Sequence, residues 1–234
     1  MPIAREDGFF QSHDSGLGSR LGIESSRLIE CVAQIGQNRI KGVFGAPSFG
    51  FNGVDLDFLT DVPWVEDLWF WDINLKNIDG LYALRDLRYF GVHPKRPPID
   101  FSCFPRLWSA VVEPRTYDRG IGELNELERL HLWHFRPRDG SYSSFDFPGS
   151  LKELHINWAS PASLESLPAL PQLRRLEVHR CRNLRFLGDL GAKFPNLTHL
   201  VITACGEVAN GEGERVVREL PRLAHAYVQN TKLV

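Results

Sequence analysis

The sequence predicts an α/β solenoid of about nine short repeats, with parallel strands on the concave face and short helices, 3₁₀ turns and loops on the convex face. Three observations predict it. Apolar triads of the form ϕ-x-x-ϕ-x-ϕ recur down the chain, and they begin every 20 to 26 residues. No apolar run is long enough to be a membrane span: even PWVEDLWFWDI is interrupted by Glu66, Asp67 and Asp72.

The clear triads are Leu127/Leu130/Leu132, Leu151/Leu154/Ile156, Leu173/Leu176/Val178 and Leu197/Leu200/Ile202. Weaker ones are Val65/Leu68/Phe70, Leu87/Phe90/Val92, Leu107/Ala110/Val112 and Leu223/Ala226/Val228, with Ile40/Val43/Gly45 the weakest. Along a strand the last two positions of each triad point to one side, so stacked strands bury columns that one repeat could not hide from water. Before the first triad, SSRLIECVAQIG has Ser26 as a helix cap, Leu28, Ile29, Val32 and Ile35 at helical spacing, and Gly36 as a stop. We therefore expect an N-terminal segment with a capping helix over 1–36, and the repeats over 37–234. Residues 1–20, with Gly8, Gly16 and Gly18, read as partly disordered or weakly folded back. Short helical pieces are expected over 77–87, 119–127 and 212–223, and the residues after Val228 leave room for no separate cap domain.

Composition narrows the function classes. With 27 Lys+Arg against 29 Asp+Glu the net charge is -2, which disfavours nucleic acid and anionic membranes as partners. Cys31, Cys103, Cys181 and Cys205 lack metal or redox spacing and read as reduced thiols. The opening residues lack the basic start and apolar run of an export signal, so the cytoplasm is the expected compartment. No phosphate-binding, nucleophile-elbow, zinc-protease or dinucleotide motif is present, so neither catalysis nor a cofactor is expected.

The segments LRRLEVHRCRNL (173–184) and LTHLVITACGEV (197–208) resemble the LxxLxLxxN/CxL signature of the leucine-rich-repeat family. The resemblance covers residues 40–228 and implies that Cys181 and Cys205 are inward neighbours in the stack. Lys95, Arg115, Phe135 and Ala159 hold the equivalent positions elsewhere, a departure that implies irregular turns in the first half. The layout around DLDFLTDVPWVEDLWFWD and DGLYALRDLRYFGV is also similar to short stand-alone bacterial leucine-rich-repeat proteins. That likeness implies a cytoplasmic protein that binds another protein, as an antidote (immunity protein) against a toxin or as a regulator.

Function would sit on the outward residues, at offsets +2, +4 and +6 from each triad start. These columns project large aromatics, Arg and His, the residue types of interface hot spots. The expected partner-binding residues are Trp69, Trp71, Tyr89, His93, Arg129, His131, Trp133, His155, Arg175, Glu177 and His179. Two other readings stand beside this one: the aromatics pack on one another or under the N-terminal segment, or the Trp and His cluster binds a small ligand or carbohydrate. His131 and His155 share an offset in adjacent repeats, but no Cys or Asp completes a tetrahedral set, so no metal is expected. An enzyme would have to assemble groups such as Glu153, His155 and His179 on this face. The insertion over 134–149 carries Arg136, Arg138, Asp139 and Tyr142, either as contact residues or as part of a mobile connection.

Overall fold

Alternation decides where the strands form. In the computed structural model, which describes residues 3–13, 18–206, 208–209 and 211–234, each of the nine triads carries a parallel strand beginning two residues after the triad starts. The chain forms two compact units, Met1–Gly120 and Ile121–Val234.

In the first unit, β1 (Ile3–Glu6) and β2 (Phe9–Ser12) make an antiparallel hairpin, and β2 runs antiparallel to β3 (Arg20–Gly22). β3, β4 (Gly42–Gly45), β5 (Asp67–Asn74), β6 (Tyr89–Lys95) and β7 (Ser109–Val112) then pair in parallel in that order. β3 is a rung that the triads do not mark. Leu21 and Ile23 are buried in the usual places, but Gly18 stands where the first leucine would be.

The helix expected over 26–36 is α1 (Leu28–Asn38), and it connects β3 to β4; the hairpin, not the helix, lies against the outer edge of β3. Ser26 caps nothing, since it falls in the 3₁₀ turn Ser25–Arg27. Gly36 does not stop the helix. Arg39 does, in the left-handed conformation, with its side chain over Trp64 at 4.3 Å.

Residues 3–13 are folded back in regular pairing, contrary to the expectation of weak order; Gly16 lies outside the described residues. Ladder bonds and charge hold the hairpin: Arg5 pairs with Glu24 at 2.6 Å, and the Arg5 and Arg27 guanidinium groups lie over Phe10 and Phe9.

One buried ion pair ties this end to the stack. Arg20 Nε donates to Asp67 Oδ2 at 2.6 Å, and Asp67 is fully buried. Burial pushes the Asp67 carboxyl up, against the pull of Arg20. The expected irregularity of this half is present: the β5–β6 register shifts between Phe70 and Ile73. Behind the sheet, the segment expected to be helical over 77–87 is a 3₁₀ turn, Asp79–Ala83, stacked on the turn Asp57–Asp61. Gly80 permits that approach, because a Cβ there would meet the Leu56 carbonyl oxygen at 2.1 Å.

In the second unit, β8 (Arg129–Trp133), β9 (Glu153–Asn157), β10 (Arg175–His179), β11 (His199–Thr203) and β12 (His225–Val228) pair in parallel, and β13 (Thr231–Lys232) turns back antiparallel on β12. The first four strands alternate half-buried and buried residues without exception. Helical segments here are short: 3₁₀ turns at Ile121–Glu123 and Tyr142–Ser144, α2 (Leu190–Lys193) and α3 (Glu212–Glu219).

Phe135, Ala159, Cys181 and Cys205 form one inward column, with the Cys181 thiol 3.5 Å from the His179 carbonyl and the Cys205 thiol 3.4 Å from that of Val178. The cysteines thus do for the turn backbone what the family signature implies. Tyr142 is not a contact residue of the insertion. It is fully buried, stacked on Phe135 at 5.7 Å, and its backbone N–H donates to Ser166 Oγ, so it pins the loop.

Each of these five parallel strands is followed by a left-handed residue that is not glycine: His134, Trp158, Arg180, Ala204 and Gln229 have φ between 50° and 57°. The N–H groups of His134, Trp158 and Arg180 still continue the ladder, donating to Asn157, His179 and Thr203 carbonyls at 2.9 to 3.0 Å.

Three outcomes are expected in equilibrium denaturation. Leu154→Ala, at a site with no exposure, loses about 2 to 5 kcal/mol; a loss under about 0.5 kcal/mol, the size of a surface change, contradicts the packing described. Arg20→Met strands the Asp67 carboxylate and costs about 3 to 5 kcal/mol. Ala204→Gly, exposed and left-handed, leaves stability unchanged or raises it by up to about 1 kcal/mol, the reverse of a usual Ala→Gly change.

Candidate functional site

Strand register decides which outward residues meet. In the first unit several of them are not exposed: Phe44, Ala46 and Asp67 are fully buried, and Ser109 and Val111 nearly so. The cause is cover. Phe49, on the 3₁₀ turn after β4, meets both Phe10 of the hairpin (5.2 Å) and Phe44 (5.7 Å) edge-on.

The first unit's expected binding residues are half-buried. Trp71 stacks on Phe44 at 6.0 Å and meets Phe49 at 5.7 Å, so it packs on neighbouring aromatic rings. Trp69 lies across Gly91, where a Cβ would come within 2.5 Å of its ring, and meets His93 edge-on at 6.2 Å. Tyr89 meets Trp108 at 5.4 Å.

The second unit gathers the other seven. Arg129, Glu153 and Arg175 are register partners across β8, β9 and β10, as are His131, His155 and Glu177. Arg129 grips Glu153 with two bonds of 2.8 and 3.2 Å, and Arg175 donates to Glu177 Oε1 at 3.1 Å. His131 and His155 stack face to face, ring centroids 4.1 Å apart and planes within 10°. Burial, with the neighbouring His155 and Arg129 charges, pushes the His131 imidazole down to about 3, so at neutral pH it is an uncharged plate.

Glu177 Oε2 takes two imidazoles at once: His155 Nδ1 stands 3.3 Å away and His179 Nε2 3.0 Å away. Those contacts hold the Glu177 carboxyl well below the usual carboxylate range. The far nitrogen of His179 is hydrogen-bonded to the Thr203 hydroxyl at 2.7 Å. The offset that His131 and His155 share in the sequence stacks their rings face to face and does not turn them towards a common ion. The convergent set is His155, Glu177 and His179.

Residues one step beyond the selected columns complete a ladder. Trp133 meets Trp158 edge-on at 5.4 Å, His134 stacks on Trp158 at 5.2 Å and 13°, and Arg180 lies over Trp158 at 5.4 Å. Extending the columns to offset +7 brings in His134, Trp158 and Arg180; that these side chains fan onto the strand face follows from left-handed φ, which residue type does not announce. A cavity of about 400 Å³ lies elsewhere, lined by Lys152, Pro171, Gln172, Arg174, Asn196, Thr198 and Arg222, without an aromatic ring. No helix among the described residues is long and apolar enough to cross a membrane.

No protein-family model matches the chain, and no curated protein does. Solved structures do. An internalin (InlF) of Listeria monocytogenes superposes with a TM-score of 0.50 at 16% identity, over 82% of this chain and 62% of that one. The functional domain of InlJ from Listeria monocytogenes, which includes a cysteine ladder, superposes with 0.53 at 14% identity, over 90% of this chain and 42% of that one. This chain therefore spans less than two thirds of either neighbour. Likeness at such identity is likeness of fold, and with the triads, the parallel strands and the inward cysteine column it establishes that this chain has the leucine-rich-repeat fold.

Proposed function

We propose that the protein is a non-catalytic module that binds another protein, with the docking residues of the second unit centred on Trp133, Trp158, His131 and His155. One observation carries the reading: four half-buried aromatic rings, Trp133, His134, Trp158 and His131, stand on backbone fixed by the strand ladder. Rigid amphipathic rings lose little conformational entropy on binding, which is why they dominate interface energetics. The charged groups beside them, Arg129 with Glu153 and Arg175 with Glu177, are already paired and set a fixed polar rim.

A carbohydrate or small-ligand site needs rings lining an enclosed pocket. The cavity of about 400 Å³ lined by Lys152, Arg174 and Arg222 carries no such ring. The four free cysteines fit a reducing compartment such as the cytoplasm. An antidote role is a special case of this reading: the partner would be a toxic protein whose activity this chain blocks one-to-one.

Affinity capture with wild type and a Trp133→Ala/Trp158→Ala variant, both confirmed folded by circular dichroism, tests the proposal. A partner held by wild type is expected to bind the variant at least about 30-fold more weakly, the size of a hot-spot loss of 2 kcal/mol or more. Equal recovery of every partner removes this surface.

A further inference from the structure

The convergence on Glu177 has a use that hydrogen bonding does not exhaust. We propose that His155 Nδ1, Glu177 Oε2 and His179 Nε2 form a binding site for a divalent transition-metal ion of the zinc class, with coordination left open towards solvent. The inference shares His155 and Glu177 with the docking surface but rests on different observations and is tested without a partner.

Donor type comes first. Two imidazole nitrogens and one carboxylate oxygen make the borderline set that suits Zn²⁺ and its neighbours and suits Ca²⁺ or Mg²⁺ poorly. Spacing comes second. With bonds of about 2.0 to 2.2 Å, tetrahedral ligands stand about 3.4 Å apart. The two nitrogens lie 3.3 and 3.0 Å from the shared carboxylate oxygen, and one ligand atom from each residue falls within 4.8 Å of the others.

Orientation is the third and strongest point, because each ligand is held by a group that is not itself a ligand. His179 is fixed through its other nitrogen by Thr203 Oγ1 at 2.7 Å, and Glu177 through its other oxygen by Arg175 at 3.1 Å. His155 is fixed by the His131 ring stacked on it at 4.1 Å, and its far nitrogen faces Glu153 Oε2 at 3.9 Å. Metal-binding histidines characteristically place an oxygen on the ring nitrogen that does not touch the ion. When the ion binds, the proton of His179 sits on Nδ1 and is donated to Thr203, and that of His155 sits on Nε2 and faces Glu153. Both ligand nitrogens then present lone pairs.

Backbone rigidity supplies the rest. Glu177 and His179 are two apart on β10 and so share a face, and His155 is the register partner of Glu177 on β9. Side-chain exposures of 15, 19 and 28% for His155, Glu177 and His179 leave the site reachable from water. Three protein ligands leave a further position for water or a partner's side chain.

Titration of the chelator-stripped full chain with ZnCl₂ tests the site by calorimetry. One ion per chain is expected, with micromolar or tighter affinity, together with a rise in melting temperature. Glu177→Gln, which keeps the volume, and His155→Ala/His179→Ala should each bind at least 100-fold more weakly. Thr203→Val, which removes only the orienting hydroxyl, should weaken binding about 10-fold. His199→Ala/His225→Ala, at the other close histidine pair, should change nothing. In wild type, the imidazole ¹⁵N signals of His155 and His179 should be those that shift on addition of Zn²⁺, which needs no variant to fold. Absence of binding at 100 µM Zn²⁺, undiminished binding by Glu177→Gln, or shifts at other histidines alone would overturn the assignment.

Discussion

Parallel strand register is the constraint on which everything else in this molecule depends. Once the backbone of one strand pairs with the next in parallel, every offset along the repeat becomes a column whose members stand one strand spacing, about 4.8 Å, apart. That spacing suits leucine on the inside and stacked rings on the outside. It sets Cys181 beside Cys205, lays His131 on His155, and brings Glu177 between two imidazoles without any loop having to be shaped for the purpose.

The two units use this constraint differently. The second is regular, with five-residue strands and strict alternation from β8 to β11, so its outward columns are open and ordered. In the first, the hairpin and the turn at Pro47–Phe49 cover part of the strand face, the buried Arg20–Asp67 pair replaces an outward contact, and a bulge lengthens β5. Aromatic residues at equivalent offsets therefore meet different neighbours in the two units. Trp71 and Trp133 occupy the same column position and have different surroundings.

Much of this was legible in the sequence, and what was not has identifiable causes. The nine triads locate nine strands because apolar alternation is the signal that burial itself imposes. The strand at Arg20–Gly22 escapes because Gly18 replaces the first leucine, while Leu21 and Ile23 keep their places. The segments over 77–87 and 119–127 hold 3₁₀ turns, a distinction that apolar spacing alone does not reveal. At the site, column membership was readable for His131, His155, Glu177 and His179. Which ring nitrogen meets which oxygen depends on side-chain rotation, and residue identity does not encode it at that resolution.

The left-handed residues at the strand ends separate two kinds of change. His134, Trp158 and Arg180 leave the sheet just past its last inward side chain, yet their N–H groups still close the ladder. Substitution there alters what the protein shows to its surroundings without disturbing the leucine interior. A new specificity can therefore arise one side chain at a time, with no compensating mutation required inside.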